Sequence, residues 1–279
     1  MSETSSPSVR GPAKRFPIAQ SVVVVGALVV LTAGAWLAGG RVQRQRSESR
    51  EHDFWVLCQP GSTPVEREAA FRRMVAEGNK EWRAADLRGL NLAGIKMPGA
   101  DLQNAGFVRT NLAGANLAGA KLGRSTLELA DLTSANLSEV DLTEARLALA
   151  NLSGATLRHA SLPASHNAQV QAENADFELA DLADADCRMA NLTGAKLIGA
   201  NLSGAKLESA MLKGANLSLA RLDGADLTDA DFTDANWWCA RGLTTKQLTL
   251  LKRKFPPTAT ADPALKEDYA KWAAVPLPR

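Results

Sequence analysis

Large apolar residues recur at every fifth position between Ala85 and Cys239. These 155 residues divide into 31 pentads without a shift of register. The central residue is large and apolar in 29 of the 31 pentads when Cys187 is counted, and the exceptions are Asn167 and Ala172. Alanine stands two residues before the centre in 24 pentads, and the residue between them is mostly Asn or Asp. The predicted core includes Leu87, Leu92, Phe107, Leu132, Phe177, Cys187, Leu207, Phe232 and Trp237.

A period of five fits neither an α-helix nor a β-strand. On a helix, five residues advance about 500°, so successive central residues would stand about 140° apart and ring the helix. On a strand, side chains alternate between two faces, so every fifth residue would change face. The central residues share one side only if the chain turns a corner once per pentad. Repeated corners wind a coil, and stacked coils share a core, so the pattern predicts a solenoid.

The tandem Ala-(Asn/Asp)-Leu-X-X units resemble the pentapeptide-repeat family, and the resemblance covers residues 85–239. It implies a mainly β fold, namely a right-handed quadrilateral parallel β-helix with four pentads in each coil. At about 4.8 Å per coil, the repeats would form a rod of about 37 Å. Glycine and Asn or Asp suit the corners, because glycine accepts bends and the other two hydrogen-bond to nearby backbone. A low-complexity helical or disordered tract is the alternative.

The chain before the repeats is predicted to contain a membrane anchor. Residues 1–17 are polar and rich in Ser and Pro, which is typical of a disordered tail. Residues 18–38 carry no charge and are long enough to cross a bilayer as one transmembrane helix. A cleaved signal peptide and a buried helix are the alternatives. Residues 39–62 are predicted to be a basic juxtamembrane linker.

The charges on either side of the apolar segment predict its orientation. Three basic residues precede it and four follow it: Arg10, Lys14, Arg15, Arg41, Arg44, Arg46 and Arg50. By the positive-inside rule, this balance favours cytoplasmic repeats. We therefore predict a single-pass protein of a bacterial inner membrane.

Short helices are predicted at both ends of the solenoid, where unpaired edges and apolar core need cover. Residues 63–84 are predicted to form a helical N-terminal cap, whose helix begins with Thr63 as the N-cap and Glu66 at N3. Residues 240–279 are predicted to hold a C-terminal helix and a Pro- and Ala-rich tail. The resemblance also implies a homodimer through the C-terminal helix, although capping explains its apolar residues equally well.

The repeat weakens between Pro163 and Asn174, where two central apolar residues are lost. This segment is either a coil with a weak wall or a protruding loop. If residues 20 apart stack, an apolar stripe runs beside the segment, and exposed apolar surface often marks an interface. The predicted interaction patch comprises Leu129, Leu149, Met189, His166 and Asn167. Local packing, or cover by residues 163–174, is the alternative.

The repeats are acidic, whereas the flanks are basic. Residues 85–239 hold 19 Asp and Glu against 12 Lys and Arg, while the whole chain has a net charge of +2. The family resemblance implies one possible role for this charge, because gyrase-protecting members are acidic rods that mimic duplex DNA. Because the Asp residues alternate with Lys and Arg over several faces, a solvated surface is the simpler explanation, and no direct nucleic-acid partner is expected.

The sequence contains no recognisable catalytic motif. Its three histidines, His52, His159 and His166, have no Cys or Glu placed to complete a zinc set. Three cysteines give no disulfide framework, and no P-loop or nucleophile elbow is present. We therefore expect no catalytic residue, cofactor or metal. The favoured function is a non-enzymatic, membrane-anchored scaffold for protein–protein interaction with an unknown protein partner. The alternatives are the gyrase-type DNA mimic and a purely structural component of the cell envelope.

Overall fold

The computed structural model describes residues 52–59 and 61–275. Most of them form a solenoid, in which the bridge residues of the pentads pair in parallel at a spacing of 20 positions. These pairs run from Glu81↔Asp101 to Arg221↔Arg241, so the solenoid extends slightly beyond the predicted limits of 85 and 239. Four pentads make one coil, and the predicted solenoid is confirmed.

The β character of this solenoid differs from that of an ordinary sheet. Neighbouring coils meet at isolated bridges, one on each side of the coil. No β-strand longer than a single bridge residue occurs in residues 52–59 and 61–275. The expected mainly β fold is therefore a stack of bridged turns, because a corner after every pentad leaves no room for a longer strand.

Hydrogen bonding explains the residue preferences of the pentad. Of the five amides in residues 130–134, four donate to main-chain oxygens of adjacent coils or of the same turn. The fifth, that of Thr133, donates to Oδ1 of Asp131 over 2.9 Å. Asn and Asp recur at the bridge position because their side chains satisfy the one amide that the coil leaves without a main-chain acceptor.

The residue two positions after each centre has a left-handed backbone. From Ala84 to Asp234, every residue at this position has φ between 52° and 68°. Glycine adopts this conformation freely, whereas other residues do so at a cost of about 1–2 kcal/mol. Glycine occupies only 11 of these positions, so 20 side chains are held on the surface against backbone strain.

The central residues form one continuous core. The nine residues predicted for it, from Leu87 to Trp237, are all at most 2% exposed. Burial also raises the pKa of the Cys187 thiol to about 12. Each large apolar side chain buried in this way contributes roughly 1.5–3 kcal/mol to folding.

Residues 163–174 continue the coils without a bulge, so the protruding-loop alternative is wrong. Asn167 takes the central position and is 3% exposed. Its Nδ2 donates to Oγ of Ser165 over 2.7 Å and contacts Sγ of Cys187 at 3.7 Å. The predicted place of Asn167 in the interaction patch is therefore wrong, because its side chain lies inside the coil.

Two helices cover the N-terminal end. Residues 52–58 form α1, and Pro64–Ala76 form α2, which begins with the predicted Thr63 and Glu66 capping box. The ring of Phe71 in α2 lies 4.4 Å from that of Trp82, which fills the centre of the first coil. Helix α1 lies within the predicted linker, where the buried Asp53 accepts from Nε of Arg73 over 3.1 Å.

Three helical elements cover the C-terminal end. A 3₁₀ turn, Trp237–Cys239, closes the last coil, followed by α3 at Thr245–Lys254 and α4 at Pro263–Ala273. The Trp237 indole donates to the main-chain oxygen of Phe255 over 3.0 Å, and the Trp238 indole donates to Asp268 over 2.8 Å. The apolar faces of α3 and α4 are used against this end, and a homodimer through them stays a prediction.

Among the described residues, no helix has the length and hydrophobicity that a bilayer crossing requires. The predicted transmembrane helix at 18–38 lies outside the described residues, as do the predicted tail at 1–17 and the linker up to residue 51.

Candidate interaction surface

One side of the solenoid carries the predicted patch, and we call it the Leu149 face. It comprises three columns of side chains that begin at Asp86, Arg88 and Gly89 and recur every 20 residues. The coil geometry fixes this arrangement, because each bridge residue lies directly beside its partner in the next coil. The amide of Leu149, for example, donates to the main-chain oxygen of Ala168 over 3.1 Å.

An apolar patch crosses five consecutive coils of the Leu149 face. Leu149 is 50% exposed, and Leu129 and Met189 are exposed to a similar extent. Half-buried small residues join them, so the full patch comprises Val108, Leu129, Ala148, Leu149, Ala168 and Met189. Residues 163–174 lie within the wall and do not cover it.

Leucine at these positions is unusual for a backbone reason. Leu129 and Leu149 both have φ of 61°, in the left-handed region where glycine is favoured. Because their side chains are exposed, packing inside the solenoid does not offset the backbone strain of about 1–2 kcal/mol. Strain held at an exposed apolar residue is a reason to expect surface function there.

Charged side chains lie within the patch and at its C-terminal end. Within the patch, Nε of Arg146 donates to Oε1 of Glu128 over 2.5 Å, so the pair bridges the coils of Leu129 and Leu149. On its C-terminal side, Arg188 makes two bonds to Asp186, of 2.8 and 2.6 Å. These bonds to Arg188 lower the pKa of the Asp186 carboxyl. In the column that begins at Arg88, Glu128 therefore lies between Val108 and Ala148, and Arg188 follows Ala168.

His166 is exposed on the same face, in the bridge column between Arg146 and Asp186. The structure thus brings together four of the five residues predicted for the patch and excludes Asn167. Val108, Ala148 and Ala168 were not predicted to belong to the patch, although the same spacing of 20 places them in the column that begins at Arg88.

The opposite side of the solenoid, which we call the Leu219 face, carries a smaller apolar group. Leu179 and Leu219 are exposed there, at the same left-handed position as Leu149. Gly199 separates them, and the Leu179 side chain leans over it, so that an added Cβ would stand 2.7 Å from Leu179 Cδ2. These residues offer a natural comparison for the Leu149 face.

The described part of the chain shows no arrangement for metal chemistry. Within it, no three His, Cys, Asp or Glu side chains come close enough to hold an ion. Burial and the neighbouring Asp268 raise the pKa of the Cys239 thiol to about 11, which disfavours the nucleophilic thiolate at neutral pH.

Sequence comparison agrees with the geometry of the coils. A family model described as pentapeptide repeats matches in eight copies, over residues 83–117, 110–148, 168–199 and 200–236. HetL, a pentapeptide repeat protein involved in heterocyst differentiation regulation from the cyanobacterium Nostoc sp. strain PCC 7120, is 32% identical. The match covers 60% of this chain and 93% of HetL, with a TM-score of 0.23. The chain belongs to the pentapeptide-repeat family.

Other solved pentapeptide-repeat proteins are also similar to this one. A protein of the Arabidopsis thaliana thylakoid lumen is 28% identical over 46% of this chain and 82% of its own, with a TM-score of 0.27. Full-length QnrB1, a plasmid-mediated fluoroquinolone resistance protein, is 18% identical over 59% of this chain and 96% of its own, with a TM-score of 0.23. A comparison with curated proteins gives no match.

Proposed function

We propose that this pentapeptide-repeat protein is a non-enzymatic scaffold that binds protein through the Leu149 face and is held at a membrane by residues 18–38. The observation that carries the proposal is the apolar patch from Val108 to Met189. It is contiguous over five coils, exposed, and built partly from leucines in a strained backbone conformation. Contiguous apolar side chains on a solvent-exposed surface mark a contact with another molecule.

The solenoid suits this role mechanically. Neighbouring coils are hydrogen-bonded along their sides, and most amides of each pentad donate to main-chain oxygens of the same or the adjacent coil. A surface that is already rigid loses little conformational entropy when a partner binds, so more of the contact energy appears as affinity. Turnover, in contrast, needs a concave site with converging polar groups.

Two observations support the membrane part of the proposal. Residues 18–38 have the length and lack of charge of a transmembrane helix. Helix α1, which follows them in sequence after the basic segment, exposes Phe54 and Trp55. Aromatic residues next to a basic stretch are typical of chain near a membrane interface.

The gyrase-type alternative rests on the net acidity of the repeats. That charge is interspersed with arginines that pair with the carboxylates, as Arg124 does with Glu144 and Arg158 with Glu178. A duplex mimic needs a continuous acidic line, whereas the bridge column Glu81, Asp101, Lys121 already changes sign at its third residue. The charge pattern therefore favours the scaffold.

Photo-crosslinking in cells would test the proposal. A photoreactive side chain at position 149 of the full chain should give protein adducts, whereas the same side chain at 219 on the opposite face should give few. The Leu129→Asn change, made in the chain that carries the probe at 149, should reduce the adducts at least about tenfold, because Asn tolerates a left-handed backbone but removes apolar surface. Equal adducts at 149 and 219 would contradict the proposal.

A further inference from the structure

The charges around the apolar patch are arranged about a midpoint. In the column that begins at Arg88, the small residues Ala148 and Ala168 lie at the centre, in adjacent coils. One coil outward on either side stand Glu128 and Arg188, which carry opposite charges. In the next column, Leu129 and Met189 stand at the same two levels, and both are exposed. One coil out from the midpoint, a negative charge thus matches a positive one and an apolar side chain matches an apolar one, whereas next to the midpoint Leu149 matches Gln169.

We propose that a second copy of this chain binds the Leu149 face in antiparallel orientation, about a two-fold axis between the coils of Ala148 and Ala168. Leu129 of one copy then lies against Met189 of the other, and Glu128 lies against Arg188. The two-fold axis repeats each contact, so two apolar contacts and two ion pairs flank a centre where Ala148 faces Ala168 and Leu149 faces Gln169. This inference rests on the proposed function, because it names the partner of the same surface.

The antiparallel orientation follows from charge. In a parallel pair, each coil would face the same coil of the second copy. Glu128 would then oppose Glu128, Arg188 would oppose Arg188, and Glu208 would oppose Glu208. Like charges placed against each other in an interface are unfavourable, whereas the antiparallel arrangement brings opposite charges together. Such a self-complementary contact closes on itself, as symmetric dimers require.

The Leu219 face lacks this symmetry. The midpoint between Leu179 and Leu219 is the coil of Ile198 and Gly199, with Glu178 on one side and Ser218 on the other. No opposite charge stands at the matching level. A second copy is therefore expected on the Leu149 face and not on the Leu219 face, although both carry exposed leucines.

Charge reversal tests the proposed contact. Two differently tagged full-length chains would be purified together in detergent micelles, and their association measured. Glu128→Arg alone and Arg188→Glu alone should each weaken self-association by about tenfold or more, since one interfacial ion pair of this kind is worth at least about 1.4 kcal/mol. The chain with both changes should associate within about threefold of the original.

A mixture of the two single variants should also associate, because each carries the charge that the other has lost. Glu139→Arg, the same reversal on the Leu219 face, is the matched control and should leave association unchanged. The proposal is overturned if the single reversals have no effect, or if the double variant stays as weak as the single ones.

Crosslinking tests the orientation. In a full-length chain with Cys58→Ser and Cys239→Ser, a short bismaleimide should join Leu129→Cys chains to Met189→Cys chains. Leu129→Cys chains alone should not crosslink, because their thiols would lie three coils apart along the rod, or about 14 Å. Efficient crosslinking of Leu129→Cys chains with each other would show parallel pairing instead.

The outcomes separate the two proposals. If neither cysteine combination crosslinks but photo-adducts still form at position 149, the occupant is a different protein, and the scaffold function stands while the second copy is excluded. If the adducts are absent as well, the scaffold function is overturned too.

Discussion

At the scale of single residues, each pentad position has one physical task. The centre fills the core, and the bridge residue satisfies an amide when it is Asn or Asp, as Asp131 does for Thr133. The residue two positions after the centre accepts a left-handed backbone. Because these tasks are independent, a departure from the pattern can be assigned to one of them. Asn167 departs at the centre, whereas Leu149 departs at the left-handed position.

Replacing Asn167 with Leu should stabilise the solenoid. Its buried Oδ1 has no hydrogen-bond partner, and an unsatisfied buried polar atom costs about 1–3 kcal/mol. Ser165 keeps its bond to the main-chain oxygen of Leu162 in the variant. We expect the free energy of unfolding to rise by about 1 kcal/mol, measured by urea unfolding of the full chain followed by circular dichroism.

The reverse change one coil earlier, Leu147→Asn, is the control for this prediction. It should lower the free energy of unfolding by about 3 kcal/mol, because it removes buried apolar volume and adds an unsatisfied amide. A loss of stability in both variants would show that the bond between Asn167 and Ser165 outweighs the orphaned oxygen.

The cysteines should differ sharply in reactivity. Cys58 is exposed, whereas burial raises the pKa of Cys187 to about 12, and burial with the nearby Asp268 raises that of Cys239 to about 11. Only the thiolate reacts, so at pH 8 its fraction is about 10⁻⁴ for Cys187 and 10⁻³ for Cys239. Maleimide labelling followed by mass spectrometry should modify Cys58 first.

Raising the pH should then accelerate the Cys239 reaction about tenfold per unit until the pH approaches 11, because the thiolate fraction rises by that factor. Cys187 should react only after unfolding, since burial blocks the reagent as well. Rapid modification of Cys187 in the native protein would contradict its place in the core.

At the scale of elements, the ends of the solenoid depend on contacts that are distant in sequence. The capping box at Thr63 and Glu66 is local and was predicted from the sequence. The bond from Trp238 to Asp268 spans 30 residues and has no local signal. The ion pair between Asp53 and Arg73 spans 20 residues and likewise has no local signal. The packing of α1, which lies in the predicted linker, on α2 was therefore not predicted. Local rules therefore identified the start of α2 and a C-terminal helix, but neither α1 nor the docking of the helices.

Helix α3 offers a matched pair of leucines that tests the C-terminal cap. Leu251 is 4% exposed against the end of the solenoid, while its neighbour Leu250 is 40% exposed. Leu251→Ala should destabilise the cap by about 2–4 kcal/mol, because it leaves a cavity over the last coil. Leu250→Ala should change stability by less than about 0.5 kcal/mol.

Hydrogen exchange measured by mass spectrometry would check this difference. In the Leu251→Ala chain, peptides from α3 and the last coil should lose protection, while those near Leu92 stay protected, because each coil contacts only its neighbours. Equal protection of α3 in the Leu251→Ala and Leu250→Ala chains would mean that Leu251 does not fix α3 to the end of the solenoid.

At the scale of the whole molecule, the period of five and the spacing of 20 were sufficient to predict the architecture and the column of Leu129, Leu149 and Met189. They failed where chemistry at one position decides the outcome. Asn167 was placed on the surface, yet the regular coil turns every central residue inward. The exposed leucines of the Leu219 face were not predicted, because the spacing of 20 was traced on only one of the four sides of the solenoid. The partner of the patch depends on another molecule, which no spacing within one chain can reveal.

Deletions of different length would test whether the faces of the solenoid carry the function. Removing one pentad, residues 155–159, keeps the repeat pattern but moves every later residue to the next face. Met189 and Arg188 would then leave the Leu149 face, while Leu129 and Glu128 stay. Removing one whole coil, residues 150–169, keeps Arg188 and Met189 on that face and brings them next to Leu149.

Both shortened chains should fold, with closely similar circular dichroism, because every pentad has the same hydrogen-bonding plan. We expect the chain that lacks one pentad to lose self-association, and the chain that lacks one coil to retain it. In the latter, an antiparallel pair still places Glu128 against Arg188 and sets Leu149 against Leu149. Sedimentation of the full-length variants in detergent would measure the difference. Equal association of the two chains would show that self-association does not depend on the alignment of Leu129 with Met189.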